Sequence, residues 1–231
     1  MEVTPAKVRK ILSAKISQLN DIVADLDTLV REIGFEFYRV CIFGSARIKK
    51  DSDEYKRVYE LAYKLAQNGA DIVTGGGPGL MEAANHGAQD GSKECKSIGI
   101  SIYLPHEATP NSHLDLRYHH RRFSSRLDEF MRISHAVVVT PGGIGTLLEL
   151  MFTWQLMQVG HIDPKPIILL GYNFWNGFIE WIKSQPLNNN LLDLKDLKFL
   201  TLLNNVDEVI DFLKPSILSF KTKHNSNTNN I

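Results

Sequence analysis

The sequence has few features of disulfide-rich, membrane or strongly charged proteins. Its two cysteines, Cys41 and Cys95, form neither a disulfide framework nor a zinc-binding cluster with histidines. No apolar run approaches the ~18 residues that a membrane span requires, and the first fifteen residues lack the apolar core of a secretory signal. Lysine plus arginine equals aspartate plus glutamate, at 26 each, so no excess charge favours nucleic acid or an anionic membrane. We therefore expect a cytoplasmic protein without those partners.

Short apolar runs alternate with segments of helical periodicity along most of the chain. The runs span 38–44, 70–75, 97–104, 135–140, 165–171 and 198–203, and the helical segments span 54–68, 79–91, 122–133, 146–159, 174–184 and 206–214. Continuously apolar strands are typical of a parallel sheet covered on both faces. Strands that alternate with helices predict an α/β fold with a doubly wound parallel sheet. We place this single domain at residues 37–217.

The two ends of the chain have different patterns. Residues 1–36 are predicted to form an N-terminal amphipathic helix extension, because apolar residues recur there at alternating spacings of four and three, at Leu12, Ile16, Leu19, Val23, Leu26, Val30 and Ile33. This helix either packs on the protein's own core or helps to assemble an oligomer. Residues 218–231 end in the polar sequence KTKHNSNTNNI and are predicted to be a disordered tail.

Three of the predicted strands end in glycine-containing turns. Gly44 and Ser45 follow the first strand, Gly75-Gly76-Gly77-Pro78-Gly79 follows the second, and Pro141-Gly142-Gly143-Ile144-Gly145-Thr146 follows the fourth. Ligands of open α/β sheets bind at the carboxyl ends of the strands. Glycine lets the backbone N–H groups approach a phosphate, and the next helix presents its positive end. The three turns together predict a nucleotide or sugar-phosphate site.

The common nucleotide-binding motifs do not fit these turns. GxGxxG fails at its last position, which is Leu80 when counted from Gly75 and Leu148 when counted from Gly143. The sequence has no GxxxxGK[ST] motif. A dehydrogenase and a P-loop ATPase are therefore disfavoured.

Glu149 follows the third turn and has two interpretations. Thr146 and Glu149 have the spacing of a capping box, in which both side chains satisfy N–H groups at a helix start. Alternatively, Glu149 faces the cavity, where a carboxylate would repel phosphate but would bind ribose hydroxyls and stabilise a cationic sugar. Glu82 also stands near a helix start, where the helix dipole stabilises an acid.

A basic segment precedes the strand at 135–140. It contains Arg121, Arg122, Arg126 and Arg132, and the residue pattern alone does not choose among them. His119 and His120 flank a turn or short strand, where an ordinary surface role is favoured over proton donation.

Three motifs together resemble the LOG (Lonely Guy) family of cytokinin riboside 5'-monophosphate phosphoribohydrolases, formerly labelled lysine decarboxylase-like. They are GGGPGLMEAAN at 75–85, LPHE at 104–107 and PGGIGTLLE at 141–149. The resemblance covers roughly residues 38–214. The older label has no support in the sequence, because no lysine stands out as the partner of a pyridoxal cofactor.

The resemblance implies a Rossmann-like fold, a homodimer or higher oligomer, and hydrolysis of purine nucleoside 5'-monophosphates to free base and ribose 5-phosphate. It implies that Glu149 and Arg126 are catalytic, without metal or organic cofactor. Leu127 stands where the family usually has lysine. The expected substrate-binding residues are Gly44, Ser45, Gly75, Gly76, Gly77, Gly79, Glu82, Gly142, Gly143, Gly145 and Thr146.

Two questions stay open at the level of the sequence. The base is either adenine or of the cytokinin type. The alternative function is a non-catalytic protein of the same fold that binds a nucleotide or the molybdenum cofactor, and such a protein would need neither Glu149 nor Arg126.

Overall fold

The computed structural model of the protein describes residues 5, 8–19, 23, 37–102 and 110–228. The chain divides into two compact units, residues 1–36 and 37–231. In the first unit, residues 8–19 are helical, and Ile11, Leu12, Ile16 and Leu19 are exposed. Residues 24–33, which contain the rest of the predicted apolar seam, lie outside the described residues, and so does the LPHE motif at 104–107.

The second unit contains a sheet of seven parallel strands in the order β4-β3-β2-β1-β5-β6-β7. The strands are β1 (Tyr38–Phe43), β2 (Ala70–Thr74), β3 (Ser97–Ile102), β4 (Leu116–His120), β5 (Ala136–Val139), β6 (Ile167–Leu170) and β7 (Leu200–Leu203). Each of the six predicted apolar runs contains one of these strands. The prediction of a Rossmann-like, doubly wound α/β fold is confirmed.

Seven helices of this unit are described. They are α1 (Asp53–Gln67), α2 (Leu80–Gly91), α3 (Phe123–Ile133), α4 (Ile144–Gln158), α5 (Tyr172–Ile182), α6 (Leu194–Leu197) and α7 (Val206–Thr228), and a π-helical turn (Lys183–Leu187) follows α5. Strand β4 and helix α6 were not among the predicted elements. Strand β4 has the sequence LRYHH with four of its five residues exposed, so it contains no apolar run.

Helix α7 corrects the prediction of a disordered tail from residue 218, because the helix runs unbroken to Thr228. It also passes Pro215, although the helical segment was predicted to end at 214. Proline removes a hydrogen bond from a helix, but the apolar face continues beyond it. The buried residues Val206, Val209, Leu213 and Ile217 keep helical spacing across the proline, and packing of this face stabilises the helix.

The position of β1 determines where a ligand can bind. Strand β1 pairs with β2 on one side and with β5 on the other, so the direction of strand order reverses between β1 and β5. Such a switch point leaves a crevice at the carboxyl ends of the two strands.

Helices α1, α2 and α7 share one buried core with β1, β2, β5 and β6. In the part of the chain that the structure describes, no helix is both long and apolar enough to cross a membrane.

Candidate functional site

The first and third turns are joined at the switch point. The backbone N–H and the hydroxyl of Thr140 both donate to the carbonyl of Phe43 at 2.8 Å. The N–H of Ser45 donates to the carbonyl of Pro141 at 3.2 Å. A Cβ atom at Gly44 would lie 2.3 Å from Oγ1 of Thr140, so the close approach of the two turns requires glycine there.

The second turn is joined to the first. The N–H of Leu80 donates to the carbonyl of Ser45 at 2.9 Å. Gly79 has a φ of +67°, and a Cβ atom there would lie 2.5 Å from the carbonyl oxygen of Ser45. Left-handed backbone and crowding together fix glycine at position 79. The structure therefore brings all three predicted turns to one place at the carboxyl edge of the sheet.

Arg126 and Glu149 form an ion pair beside these turns. Nη1 of Arg126 lies 3.3 Å from Oε1 of Glu149, and the two side chains are only 13% and 12% exposed. Nε of Arg126 donates to the carbonyl of Ile100 at 2.8 Å, and the guanidinium carbon lies 5.1 Å from the ring centroid of Phe130. A Cβ atom at Gly75 would lie 2.5 Å from Nη2. The guanidinium is therefore held between an acid, a carbonyl, an aromatic ring and the second glycine turn.

The capping-box interpretation of Glu149 is wrong. Helix α4 begins at Ile144 with Gly143 as its N-cap residue, so Thr146 is already inside the helix, and no side chain caps this end. The carboxylate of Glu149 contacts Arg126 instead. Thr146 is buried, and its side chain packs so closely against Gly142 that a Cβ atom at this glycine would overlap it.

Burial raises the pKa of Glu149 to about 7, and the charge of Arg126 opposes this rise only in part. A carboxyl group with a pKa near neutrality exists in both protonation states at physiological pH. It can therefore accept or donate a proton during a reaction.

The N-terminal end of α4 is open. A Cβ atom at Gly143 or at Gly145 would meet no atom within 4 Å. The first N–H groups of a helix have no partner inside the helix and carry partial positive charge. This end can therefore accept an anion at a distance of about one helical turn from Glu149.

Several predicted residues lie elsewhere or have other partners. Glu82 forms an ion pair with Lys50 at 2.7 Å, and Arg132 pairs with Glu129. Arg122 is the exposed N-cap residue of α3. Leu127, which replaces the usual lysine, is buried. Arg126 is the one arginine of the basic segment for which the described structure shows contact with Glu149.

The two predicted surface histidines contact neighbouring serines. Nδ1 of His119 lies 3.0 Å from Oγ of Ser101, and Nδ1 of His120 lies 3.2 Å from Oγ of Ser125. Within the described ranges, no group of three or more histidine, cysteine, aspartate or glutamate residues is arranged to hold a metal ion.

Three polar residues that support the second turn were not predicted from the sequence. Thr74, Asn85 and Asn111 are buried and hydrogen-bonded to one another or to the turn. Asn85 is part of the GGGPGLMEAAN motif, so a polar residue within an apolar helical segment was a usable signal. Asn111 had no such signal, because it lies outside every predicted element.

Comparisons with known proteins identify a family and several relatives. The family model described as "Possible lysine decarboxylase" matches residues 81–213. The chain is 33% identical over 153 residues to the cytokinin riboside 5'-monophosphate phosphoribohydrolase LOG of Oryza sativa subsp. japonica, a match that covers 63% of this chain and 60% of the rice protein. It is 32% identical over 154 residues to LOG3 of Arabidopsis thaliana, with 64% and 68% covered.

Solved structures show the same fold. The molybdenum cofactor binding protein from Rippkaea orientalis has a TM-score of 0.60 at 21% identity, with 78% of this chain and 98% of that chain covered. The molybdenum cofactor carrier protein from Chlamydomonas reinhardtii has a TM-score of 0.58 at 18% identity, with 79% and 99% covered. The chain is thus a Rossmann-like α/β protein. It belongs to the LOG family, as the family model and the relatives show together.

The raised pKa of Glu149 predicts a dependence of stability on pH. The pKa rises from 4.5 to about 7 on folding, so the folded state binds the proton more tightly and wild-type stability falls as pH rises through this window. Glu149→Gln cannot ionise, so the stability of this variant relative to wild type should rise by about 3 kcal/mol between pH 4.5 and pH 7. Urea unfolding of both proteins across this range measures the difference. If the difference in the free energy of unfolding between the two proteins does not change with pH, the pKa of Glu149 is not raised in the folded state.

Proposed function

We propose that the protein hydrolyses the N-glycosidic bond of purine nucleoside 5'-monophosphates and releases the free base and ribose 5-phosphate. The observation that carries the proposal is the buried Arg126–Glu149 pair at the switch point of the sheet. The relatives named as cytokinin riboside 5'-monophosphate phosphoribohydrolases support the same reaction class. Adenine and cytokinin-type bases are both compatible with the proposal.

The 5'-phosphate binds at the N-terminal end of α4 in this proposal. Gly143, Gly145 and Thr146 offer backbone N–H groups there, and the helix dipole favours an anion. The open space above both glycines supports this position. The turn at 75–79, with Glu82 one helical turn beyond it, borders the sugar and the base.

Glu149 acts on the ribose in this proposal. Its carboxylate binds the ribose hydroxyls and stabilises positive charge that develops at the anomeric carbon. Water attacks that carbon while the bond to the base nitrogen breaks, and the base leaves with the electron pair and takes up a proton from solvent. With a pKa of about 7, Glu149 can take the proton from the attacking water. Arg126 keeps part of the Glu149 population ionised and balances charge on the leaving base or the phosphate.

The alternative is a non-catalytic protein that binds a nucleotide or the molybdenum cofactor. The solved neighbours that bind this cofactor share the fold at 18–21% identity, which carries no function across. A binding protein needs no buried acid with a pKa near neutrality. The Arg126–Glu149 pair therefore favours the enzyme, and binding of a monophosphate without turnover would favour the alternative.

An assay for release of free base tests the proposal. Wild-type protein should release base from AMP or isopentenyladenosine monophosphate. Glu149→Gln and Arg126→Ala should each lower kcat by roughly 10²-fold or more, the scale for loss of one preorganised electrostatic group. Arg122→Ala is the matched control, because Arg122 lies one turn away on the same helix and is exposed. Its kcat should stay near the wild-type value, and full activity in Glu149→Gln would contradict the mechanism.

The phosphate position predicts a strong preference for monophosphates over nucleosides. Charge-assisted hydrogen bonds contribute roughly 1.5–3 kcal/mol each, so loss of two should lower kcat/KM by about two to four powers of ten. Adenosine should therefore be a much poorer substrate than AMP. Gly145→Val should raise KM for AMP because its side chain occupies the open space, whereas Gly177→Val, also in a helix with open space, should not. Equal kcat/KM for AMP and adenosine would refute this binding position.

We also propose that the protein forms a homodimer through the outer face of α4. Ile144, Leu148 and Met151 on that face are exposed, and so is Val159 directly after the helix. An exposed apolar stripe of this kind marks an interaction surface. Sedimentation of the wild type at micromolar concentration should show a dimer, and Met151→Glu should shift it toward monomer. A monomeric wild type would contradict the proposal.

A further inference from the structure

A buried network of polar side chains lies beneath the second glycine turn. Oγ1 of Thr74 donates to Oδ1 of Asn85 at 2.7 Å and accepts the N–H of Gly76 at 2.9 Å. Nδ2 of Asn85 donates to Oγ of Ser97 at 2.9 Å. Thr74, Asn85 and Ser97 are fully buried. Hydrogen bonds in such surroundings are costly to break, because the freed groups cannot reach water.

Asn111 connects this network to the turn by three donated bonds. Its backbone N–H donates to the carbonyl of Gly76 at 2.9 Å. Its Nδ2 donates to the carbonyl of Gly77 at 2.9 Å and to Oδ1 of Asn85 at 3.0 Å. Gly76 is consequently held on both sides, since its N–H donates to Oγ1 of Thr74 and its carbonyl accepts the backbone N–H of Asn111.

The same turn contacts Arg126. The space above Gly75 is filled by Arg126, whose Nη2 would lie 2.5 Å from a Cβ atom at Gly75. On the other side, a Cβ atom at Gly76 would lie 3.3 Å from Cα of Gly99 in β3. The next residue of β3, Ile100, accepts the Nε bond of Arg126. The turn therefore has little room to move between the polar network, β3 and the guanidinium.

We propose that Asn111 is a positioning residue for the proposed active site. Its side chain bonds the turn at Gly77 and the network at Asn85, so it holds the turn against Arg126 and fixes how the guanidinium faces Glu149. The effect on turnover rests on the proposed function, but the effect on the ion pair does not. If Asn111 only stabilised the fold, its loss would lower the melting temperature and leave the electrostatics of Glu149 unchanged.

The test measures the ionisation of Glu149 directly. The carboxyl carbon of Glu149 is followed by ¹³C NMR as pH is varied, and its signal is assigned by its loss in Glu149→Gln. The charges acting on this group are that of Arg126, which lowers its pKa, and any ionised form of Cys41, whose own pKa burial raises. Asn111→Ala and Thr74→Val add no charge, so a displaced Arg126 should raise the pKa of Glu149 in both variants.

Kinetics supply the second measurement. Both variants should lower kcat roughly 10- to 100-fold, the effect of small misplacements in a site, with a smaller change in KM. Thr74→Ser keeps the hydroxyl that Thr74→Val removes, so its pKa of Glu149 and its kcat should stay near the wild-type values. Gln89→Ala is the control. It removes the bond from Nε2 of Gln89 to Oδ1 of Asp115, and Asp115 lies on the same segment as Asn111 but away from the turn. It should change neither quantity.

The outcomes are distinguishable. An unchanged pKa of Glu149 in folded Asn111→Ala overturns the inference, even if kcat falls. Should that variant not fold, the pKa of Glu149 is measured in Asn111→Leu, which keeps the size of the side chain but removes the donor to Gly77 and Asn85. A wild type without turnover on any nucleoside monophosphate refutes the proposed function alone, since a raised pKa in the variants would still support positioning by Asn111.

Discussion

The buried pair of Arg126 and Glu149 is the interaction on which the surrounding structure depends. Charges are expensive to bury, and a single partner at 3.3 Å does not fully offset that cost. The pKa of about 7 for Glu149 is the result, because burial outweighs the attraction of Arg126. The guanidinium in turn needs the carbonyl of Ile100 and the ring of Phe130. It also needs a residue without a side chain at position 75.

The sheet topology brings these groups together from distant parts of the chain. Gly75 follows β2, Arg126 lies on α3, and Glu149 lies on α4. Parallel strands end at the same edge, so the turns that follow β1, β2 and β5 meet there. The glycines at 44 and 79 allow that meeting, because a Cβ atom at either would overlap a neighbouring turn. The site therefore depends on backbone approach as much as on its two charged side chains.

Features that depend on neighbouring residues in the chain were predictable from the sequence, and features that depend on tertiary contacts were not. Apolar runs and glycine turns are local signals, so the six strands other than β4 and the three turns were predictable. The two interpretations of Glu149 placed its carboxylate either on the N–H groups of the helix start or in the cavity, and a helix start at Ile144 excludes the capping box. Arg126 was chosen by family resemblance, since four arginines had similar local surroundings. Asn111 depends on a tertiary contact with Gly76 and Gly77, and α7 passes Pro215 because of packing. The contact of Asn111 has no local signature, whereas the helical spacing of apolar residues past Pro215 was a local signal that the proline outweighed.

The positions of the lysines bear on the decarboxylase description attached to the family model. Lys165 is partly buried, and burial lowers its pKa, as an amine that reacts with an aldehyde would require. However, its Nζ donates to the carbonyls of Met131 and Ser134 at 2.7 Å, where α3 ends. Lys165 and Ser134 precede β6 and β5, so they lie at the amino edge of the sheet, opposite the glycine turns. This lysine therefore caps a helix, at the edge of the sheet opposite the pair of Arg126 and Glu149.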